Sequence, residues 1–389
     1  MVKIFIIGGL GHVGLTLGAV LSKRHHVFLC DINEEARTKF AYEKKASFFE
    51  PQLNELIVKN ESRLTLSNSY DDIELCDYVI ITIGTPIDEY LNPVFKNLFT
   101  LFDRLSYYVK DQTIILRSTV YPGMTKKLEK KHKNMRIAFC PERVAGGLMI
   151  EELQCIPQIV SANNEDTLNK ASNLFTSMKI KVKKLRNTTE GELSKLMINS
   201  YRYIEFAISN NFFMMSQDAG CDFYSIYDAI VDGYPRMEHF KKPGFAAGYC
   251  LRKDSIQLAS WQNNATFGFA YDASLVNENV PLWVFRQMRK KYRPLDKKTV
   301  GLLGLTFKGN TDDTRDSLSF RMKKILENEV KQVLVHDPFV SISESVTLDK
   351  LLTDSDIIIL MALHDEYKQL NIKKPIIDIW NWYGKGVGL

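Results

Sequence analysis

Cys250 is the residue from which a chemical reading starts. It stands in the run Gly248-Tyr249-Cys250-Leu251-Arg252-Lys253-Asp254, ahead of a helical pattern through Ile256 to Trp261. A thiol at a helix N-terminus feels the positive end of the peptide dipoles, and Lys253 adds charge nearby, so thiolate is favoured. A thiolate can add to an aldehyde to form a thiohemiacetal. Hydride loss would leave a thioester, and water would release a carboxylate. Such a path needs an oxyanion stabiliser and a group that handles protons or water. Lys195 and Asn199 are spaced i,i+4 and share a helix face, which suits a developing alkoxide. Asp254 lies one turn beyond Cys250, placed to act as base or to orient water.

Hydride loss needs an acceptor. Gly9-Leu10-Gly11-His12-Val13-Gly14 is a GxGxxG element directly after the apolar run 2–8 and at the start of a helical pattern. The glycines permit a tight turn, close approach of backbone to a pyrophosphate, and close helix–strand packing. Phosphates favour the free N–H groups of the helix start. Asp31 ends the second apolar run, 20 residues after Gly11. A carboxylate there accepts from ribose hydroxyls and repels a 2′-phosphate, so NAD is favoured over NADP.

These groups have to be carried by a scaffold. Runs 2–8, 25–31, 77–83, 112–118 and 136–141 are short, apolar and rich in Val, Ile or Phe, and read as buried strands. Helical patterns, for example 15–23 and 93–109, lie between most of them. The alternation predicts a parallel sheet with helices on both faces. From Thr188 to Ala219 one long helix is predicted, with Thr189 and Glu192 as its capping box and Gly220 as its stop. At ~1.5 Å per residue it would run about 45 Å. Runs 299–307, 331–337, 356–362 and 374–380 predict a second strand–helix block, with a polar boundary near 290–298.

Composition narrows the class. The chain has 389 residues, 45% hydrophobic and 25% charged, with a net charge of +5. That is ordinary for a globular protein and excludes disordered, collagen-like and disulfide-scaffold chains. No apolar run reaches the roughly 20 residues that span a bilayer. The apolar start is expected to be a buried strand and not a signal peptide, so a cytoplasmic location is expected. The basic run Lys126 to Lys133 looks like the wet side of a helix, not a nucleic-acid patch. Six cysteines form no CxxC pair, which argues for reduced thiols and against a zinc site. The histidines show no metal-ligand spacing.

Further stretches complete a set: Ser118-Thr119-Val120-Tyr121-Pro122-Gly123, Pro141-Glu142-Arg143, Glu192-Leu193-Ser194-Lys195 with Asn199, the segment Pro243 to Asp254, Phe307-Lys308, and Thr311-Asp312-Asp313-Thr314-Arg315. In this order, over nearly the whole chain, they resemble the UDP-glucose/GDP-mannose dehydrogenase family. The resemblance implies an α/β protein in three parts. These are an N-terminal NAD-binding Rossmann domain (1–186), a central helical domain with one long helix (187–292) that forms a homodimer, and a C-terminal Rossmann-like nucleotide-sugar domain (293–389).

It implies Cys250 as nucleophile, Glu142 for thioester hydrolysis, Thr119 for holding water, and Lys195, Asn199 and Asp254 as polar support. Gly9, Gly11, His12, Val13, Gly14, Asp31, Thr85, Pro86, Ser118 and Arg315 would touch NAD. Glu142, Arg143, Lys195, Asn199, Arg236, Phe245 and Lys308 would line the nucleotide sugar. The implied reaction is a four-electron oxidation of the C6 hydroxyl of a UDP-sugar to a uronate.

UDP-glucose ranks first on the Cys-x-x-Lys-Asp stretch. A UDP-N-acetylhexosamine ranks a narrow second on 118–123 and 141–144, and GDP-mannose is a further alternative. A two-electron hydroxyacid-type dehydrogenase and a non-catalytic NAD-binding protein are the other readings. Departures from the family pattern are Ala247 and Phe245 where glycines are common, Arg252 where proline is usual, and His12 where tyrosine is common.

Overall fold

The computed structural model describes residues 1–88, 92–245, 248–261 and 268–389. Ala247 lies outside them. The chain divides into two compact units, 1–198 and 199–389, and the division falls inside the long helix Thr188–Asp218.

Among the described residues, the first unit is built on eight strands: β1 (Lys3–Ile7), β2 (His26–Cys30), β3 (Leu64–Leu66), β4 (Tyr78–Ile81), β5 (Thr113–Leu116), β6 (Arg136–Phe139), β7 (Gln158–Ala162) and β8 (Val182–Leu185). They lie in the order β3-β2-β1-β4-β5-β6-β7-β8. All neighbours are parallel except β6 and β7. Alternate residues feed opposite faces. Ile4, Ile6, Leu29, Ile80 and Ile115 face one core. Phe5, Ile7, Phe28, Val79, Ile81 and Ile114 face the other. Both faces are therefore apolar, which is why the strands read as unbroken hydrophobic runs.

The second unit carries β9 (Thr299–Leu303), β10 (Gln332–His336), β11 (Ile357–Leu360) and β12 (Ile376–Ile377), all parallel, in the order β10-β9-β11-β12. Its helices include Tyr249–Trp261 and Phe269–Lys291. Val300, Leu302, Ile357 and Ile359 face one core. Leu303, Leu334, Ile358 and Leu360 face the other. The architecture is α/β, with an N-terminal Rossmann sheet, a central helical part and a C-terminal parallel sheet.

Two expectations change. The 93–109 helix shrinks to Lys96–Leu105, because Pro93 pairs as a bridge with Ile87. The capping box of the long helix is not Thr189 and Glu192. Asn187 Oδ1 accepts from the Glu190 N–H at 3.1 Å, and Glu190 accepts from the Arg186 N–H at 2.9 Å. The helix starts at Thr188, so position N3 belongs to Glu190. Glu192 serves another element, described below. The stop holds: Gly220 has φ 72 and follows the last turn.

Candidate functional site

The first unit presents a dinucleotide cradle. β1 ends at Ile7, and the helix His12–Leu21 begins with Gly11 as its N-cap and no side-chain cap, leaving first-turn N–H groups for an external acceptor. Gly14 allows the closest approach. A Cβ there would sit 2.0 Å from the Gly8 carbonyl oxygen. Above Gly11 a Cβ would meet only the Gly8 oxygen at 3.6 Å, so this side of the turn is open. Thr82, at the end of β4, was not singled out from the sequence. Its hydroxyl donates to the carbonyls of Ile7 and Gly8 at 2.9 and 3.0 Å and fixes the turn.

Asp31 follows β2. Its Oδ2 accepts from the Leu10 N–H at 3.0 Å and its Oδ1 from the Asn33 N–H at 3.0 Å, and the side chain stays half-exposed. His12 stacks on Phe48 with ring centroids 4.0 Å apart. Thr85, buried beside Pro86, donates to the Thr119 carbonyl at 2.6 Å and joins the two expected loops. Ser118 Oγ is buried without a protein partner. Uncapped helix N–H groups, an open glycine turn and an orphaned hydroxyl fit a dinucleotide.

Glu142 lies past β6. Its charge partner is Arg117, just after β5, whose Nη2 donates to Glu142 Oε2. Arg143 instead donates to the Pro157 carbonyl. Glu142 Oε1 accepts from the Arg143 and Val144 N–H groups at 2.7 and 3.1 Å. Burial alone would raise this carboxyl. The charge and hydrogen bond of Arg117, helped by the two backbone donors, outweigh burial and hold it below the ordinary carboxylate range. Its side chain keeps 12% exposure, so water can reach it.

Glu192 points away from its own helix start. It accepts from the N–H groups of Gly123 and Thr125, the first turn of the helix Met124–Lys131. Burial pushes its carboxyl up to about 7 against those donors. It thereby pins the end of 118–123 to the long helix, one turn from the half-buried Lys195.

The second unit holds the thiol. Cys250 is exposed in the first turn of Tyr249–Trp261, as the helix pattern implied. Behind it lies a buried polar cluster. Asn199 Nδ2 donates to Asp254 Oδ2 at 2.6 Å, and Lys253 Nζ donates to Asp254 Oδ1 at 2.5 Å. Burial works against the Lys253 ammonium, yet Asp254 and then Cys250 hold it above its ordinary value. Lys253 is therefore held as a buried cation by Asp254. Lys253 and Arg315 both lie over the Tyr249 ring, at 5.8 and 5.2 Å. Arg315 is gripped by Asp313 through two bonds of 2.9 and 2.6 Å.

The remaining expected residues are more dispersed. Arg236 is exposed and donates to the Tyr234 hydroxyl at 2.7 Å. Phe245 is buried in the apolar core of the unit. Lys308 is half-buried, and its carbonyl accepts from the Thr306 hydroxyl at 2.8 Å.

Known proteins are similar over nearly the whole chain. Three models of the UDP-glucose/GDP-mannose dehydrogenase family match: the NAD binding domain over 2–179, the central domain over 189–279 and the UDP binding domain over 301–385. A UDP-N-acetyl-D-mannosamine dehydrogenase of Pyrococcus horikoshii is 28% identical over 93% of this chain and 90% of its own length. One of Methanococcus maripaludis is 29% identical over 97% and 89%. The solved structure of a UDP-D-ManNAc dehydrogenase from Pyrococcus horikoshii superposes with a TM-score of 0.86 at 27% identity, covering 95% of this chain and 91% of that one. With all three domains matched in order, the chain belongs to the UDP-glucose/GDP-mannose dehydrogenase family and is an NAD-dependent nucleotide-sugar dehydrogenase.

Proposed function

We propose that the chain oxidises the C6 hydroxyl of a UDP-N-acetylhexosamine, UDP-N-acetylmannosamine foremost, to the uronate through Cys250. The sugar ranking from the motifs is thus reversed. The named relatives support the N-acetylmannosamine reading, as do Ser118 to Gly123 and Pro141 to Val144. The observation that carries the covalent route is the exposed Cys250 in the first turn of a helix, with the buried Lys253–Asp254 pair one turn on.

The turn Gly9 to Gly14 with Asp31 would hold NAD, with Thr85, Pro86, Ser118 and Arg315 as further contacts. When bound, NAD takes up the hydride that leaves C6 in each oxidation. Cys250 sulfur bonds to C6 of the aldehyde, and the carbonyl π pair moves to oxygen. Lys195 and Asn199 stabilise that alkoxide. After the second hydride leaves, C6 is a thioester. Glu142, with Thr119, serves its cleavage by water. Asp254 is a positioning residue in this reading, because both its oxygens are engaged by Asn199 and Lys253. Arg143, Arg236 and Lys308 would surround the nucleotide sugar, whereas Phe245 is withdrawn from that set because it is packed into the apolar core.

The boundaries 1–186, 187–292 and 293–389 remain part of this reading, and the matched spans support them. A homodimer through the long helix is supported by its exposed apolar stripe Tyr201, Ile208, Phe212 and Met215. Among the described residues no helix is long and apolar enough to cross a membrane.

The deciding experiment incubates purified protein with NAD and a panel of UDP- and GDP-sugars, following NADH and product. The expected result is turnover with UDP-N-acetylmannosamine and two NADH per uronate. Cys250→Ala should make no uronate. One NADH per product, or uronate from Cys250→Ala, would sink the covalent route. Light scattering on the same sample should give the mass of a dimer.

A further inference from the structure

Glu142 sits in a closed ring of hydrogen bonds. Arg117 Nη2 donates to its carboxylate, and Arg117 Nη1 donates to Gln158 Oε1 at 2.9 Å. Gln158 opens β7, and its Nε2 donates to the Pro141 carbonyl at 3.0 Å, one residue before Glu142. The ring ties the ends of β5 and β6 to the start of β7.

Arg117 has 0% side-chain exposure, and its guanidinium lies 5.6 Å from the Phe175 ring centroid. Burying a charge is costly, and apolar side chains of similar volume often stabilise a core as well as a buried ion pair does. An apolar residue could not aim a carboxylate or keep it ionised. The position of Arg117 therefore makes sense through Glu142.

We propose that Arg117 is a positioning residue for cleavage of the Cys250 thioester: it locks Glu142 in one orientation as a carboxylate, and Glu142 then orients the attacking water. This rests on the covalent reading above. In the step, the water oxygen bonds to the acyl carbon and the C–S bond breaks with its pair on sulfur. The two water protons go to solvent, giving a carboxylate and a thiolate.

Glu142 held below the usual range is a weak base, which suits orienting water over fully abstracting its proton. The ionisable groups that act on Glu142 are Arg117 from the end of β5 and Arg143 on its own segment; Gln158 on β7 is uncharged, and the nearby Cys140 is buried in the apolar core. Burial pushes the Cys140 thiol up to about 12. In this group, then, Glu142 is the one that titrates on the acid side.

The test compares wild type, Arg117→Met, Arg117→Lys and Cys250→Ala with NAD and UDP-N-acetylmannosamine, by kcat and KM across pH and by intact mass. Arg117→Met should lower kcat at least about tenfold with KM little changed. It should move the acid limb up by about one pH unit or more and accumulate an acyl adduct on Cys250. Arg117→Lys keeps the charge but loses the fork, so it should restore the limb and only part of kcat.

A folded Arg117→Met with the wild-type limb and no adduct overturns the proposal. Should that variant fail to fold, Arg117→Lys decides alone: kcat equal to wild type overturns it. Uronate from Cys250→Ala would instead sink the covalent reading itself, so the two failures are separable.

Discussion

The turn after β1 and the turn after β9 are built alike and end differently. Gly8 and Gly304 follow their strands with φ of 77° and 100°. The Gly8 N–H donates to the Cys30 carbonyl at 3.0 Å, and the Gly304 N–H to that of His336 at 2.8 Å. Each neighbouring strand is followed by an aspartate whose Oδ2 accepts from the turn: Asp31 from Leu10 at 3.0 Å, Asp337 from Leu305 at 2.6 Å. Each Oδ1 accepts from the N–H two residues on, that of Asn33 or Phe339. The central strand order, β2-β1-β4 against β10-β9-β11, also agrees.

They part at the carboxylate. Asp31 is half-exposed, whereas Asp337 is buried and pairs with the buried His364 at 3.0 Å. After Gly8 a helix follows at once, while after Gly304 the next helix waits until Leu318. One topological position thus holds a half-exposed carboxylate in one unit, which the proposed reading gives to NAD, and a buried structural strut in the other. The side-chain neighbours decide which, not the strand order.

The largest break in this parallel is expected from Asp337→Ala. It removes the acceptor of the Leu305, Thr306, Phe339 and Val340 N–H groups and of His364. Leaving buried donors unmet should cost about 3–5 kcal/mol, read from denaturant unfolding. NAD affinity should stay unchanged.

A pH dependence accompanies this. Burial raises the Asp337 carboxyl, but the His364 hydrogen bond and charge and the backbone donors outweigh burial and lower it from 3.8. A depressed carboxyl stabilises the fold above its unfolded value, and that contribution is lost as pH falls through the folded one. The wild type should lose stability below about pH 4, and Asp337→Ala should flatten that loss. A wild-type curve equal to that of the variant would remove Asp337 as a strut.

Gly14→Ala should come next. Its Cβ would stand 2.0 Å from the Gly8 oxygen, which is backbone and cannot swing aside. The turn must open, and NAD affinity should fall on the order of 100-fold, measured by titration calorimetry. The counterpart Gly304→Ala is strained too, at φ 100 and 2.6 Å from Ala362 Cβ. It should lower stability and leave NAD affinity alone. Equal losses of NAD affinity in both variants would mean that the two turns share a ligand role.

Much of this was legible because it is local. Strand, glycine spacing, helix and Asp31 fall within the first 31 residues, where one periodicity hands over to another. The long helix ends at Asp218 against an expected Ala219, since a helical pattern and a glycine stop are both local signals. Cys250 stood out through its place at a helix start.

What was not legible depends on distant pairing. Arg117 and Glu142 lie 25 residues apart, with the helix Met124–Lys131 and β6 between them, so no local spacing signals the pair. Glu192 meets Gly123 across 69 residues, so spacing alone assigned it to its own helix cap. β3, β7 and β8 were missed; β3 has three residues, and β8 carries Lys183 and Lys184 at the sheet edge and looks like surface. The relatives favour the second-ranked sugar over the first, because the motif around the thiol reports the shared sulfur chemistry and not the substituent on the ring.

The smallest effect should come from Asp31→Asn, and it sharpens the comparison most. Asn keeps one acceptor oxygen and loses the other, so one of the Leu10 and Asn33 bonds survives. At a half-exposed position water takes up the freed donor, and stability should fall by no more than about 1 kcal/mol. NAD affinity should drop about tenfold, as a charged acceptor for ribose hydroxyls becomes neutral. NADP should gain relative to NAD, because the charge opposing a 2′-phosphate is gone. Asp337→Asn, in the same strand position, should reverse the balance, with a large loss of stability and an unchanged NADP to NAD ratio. If Asp31→Asn costs as much stability as Asp337→Asn and leaves the cofactor ratio alone, Asp31 is a strut as well, and the difference between the two sheets lies elsewhere than in these carboxylates.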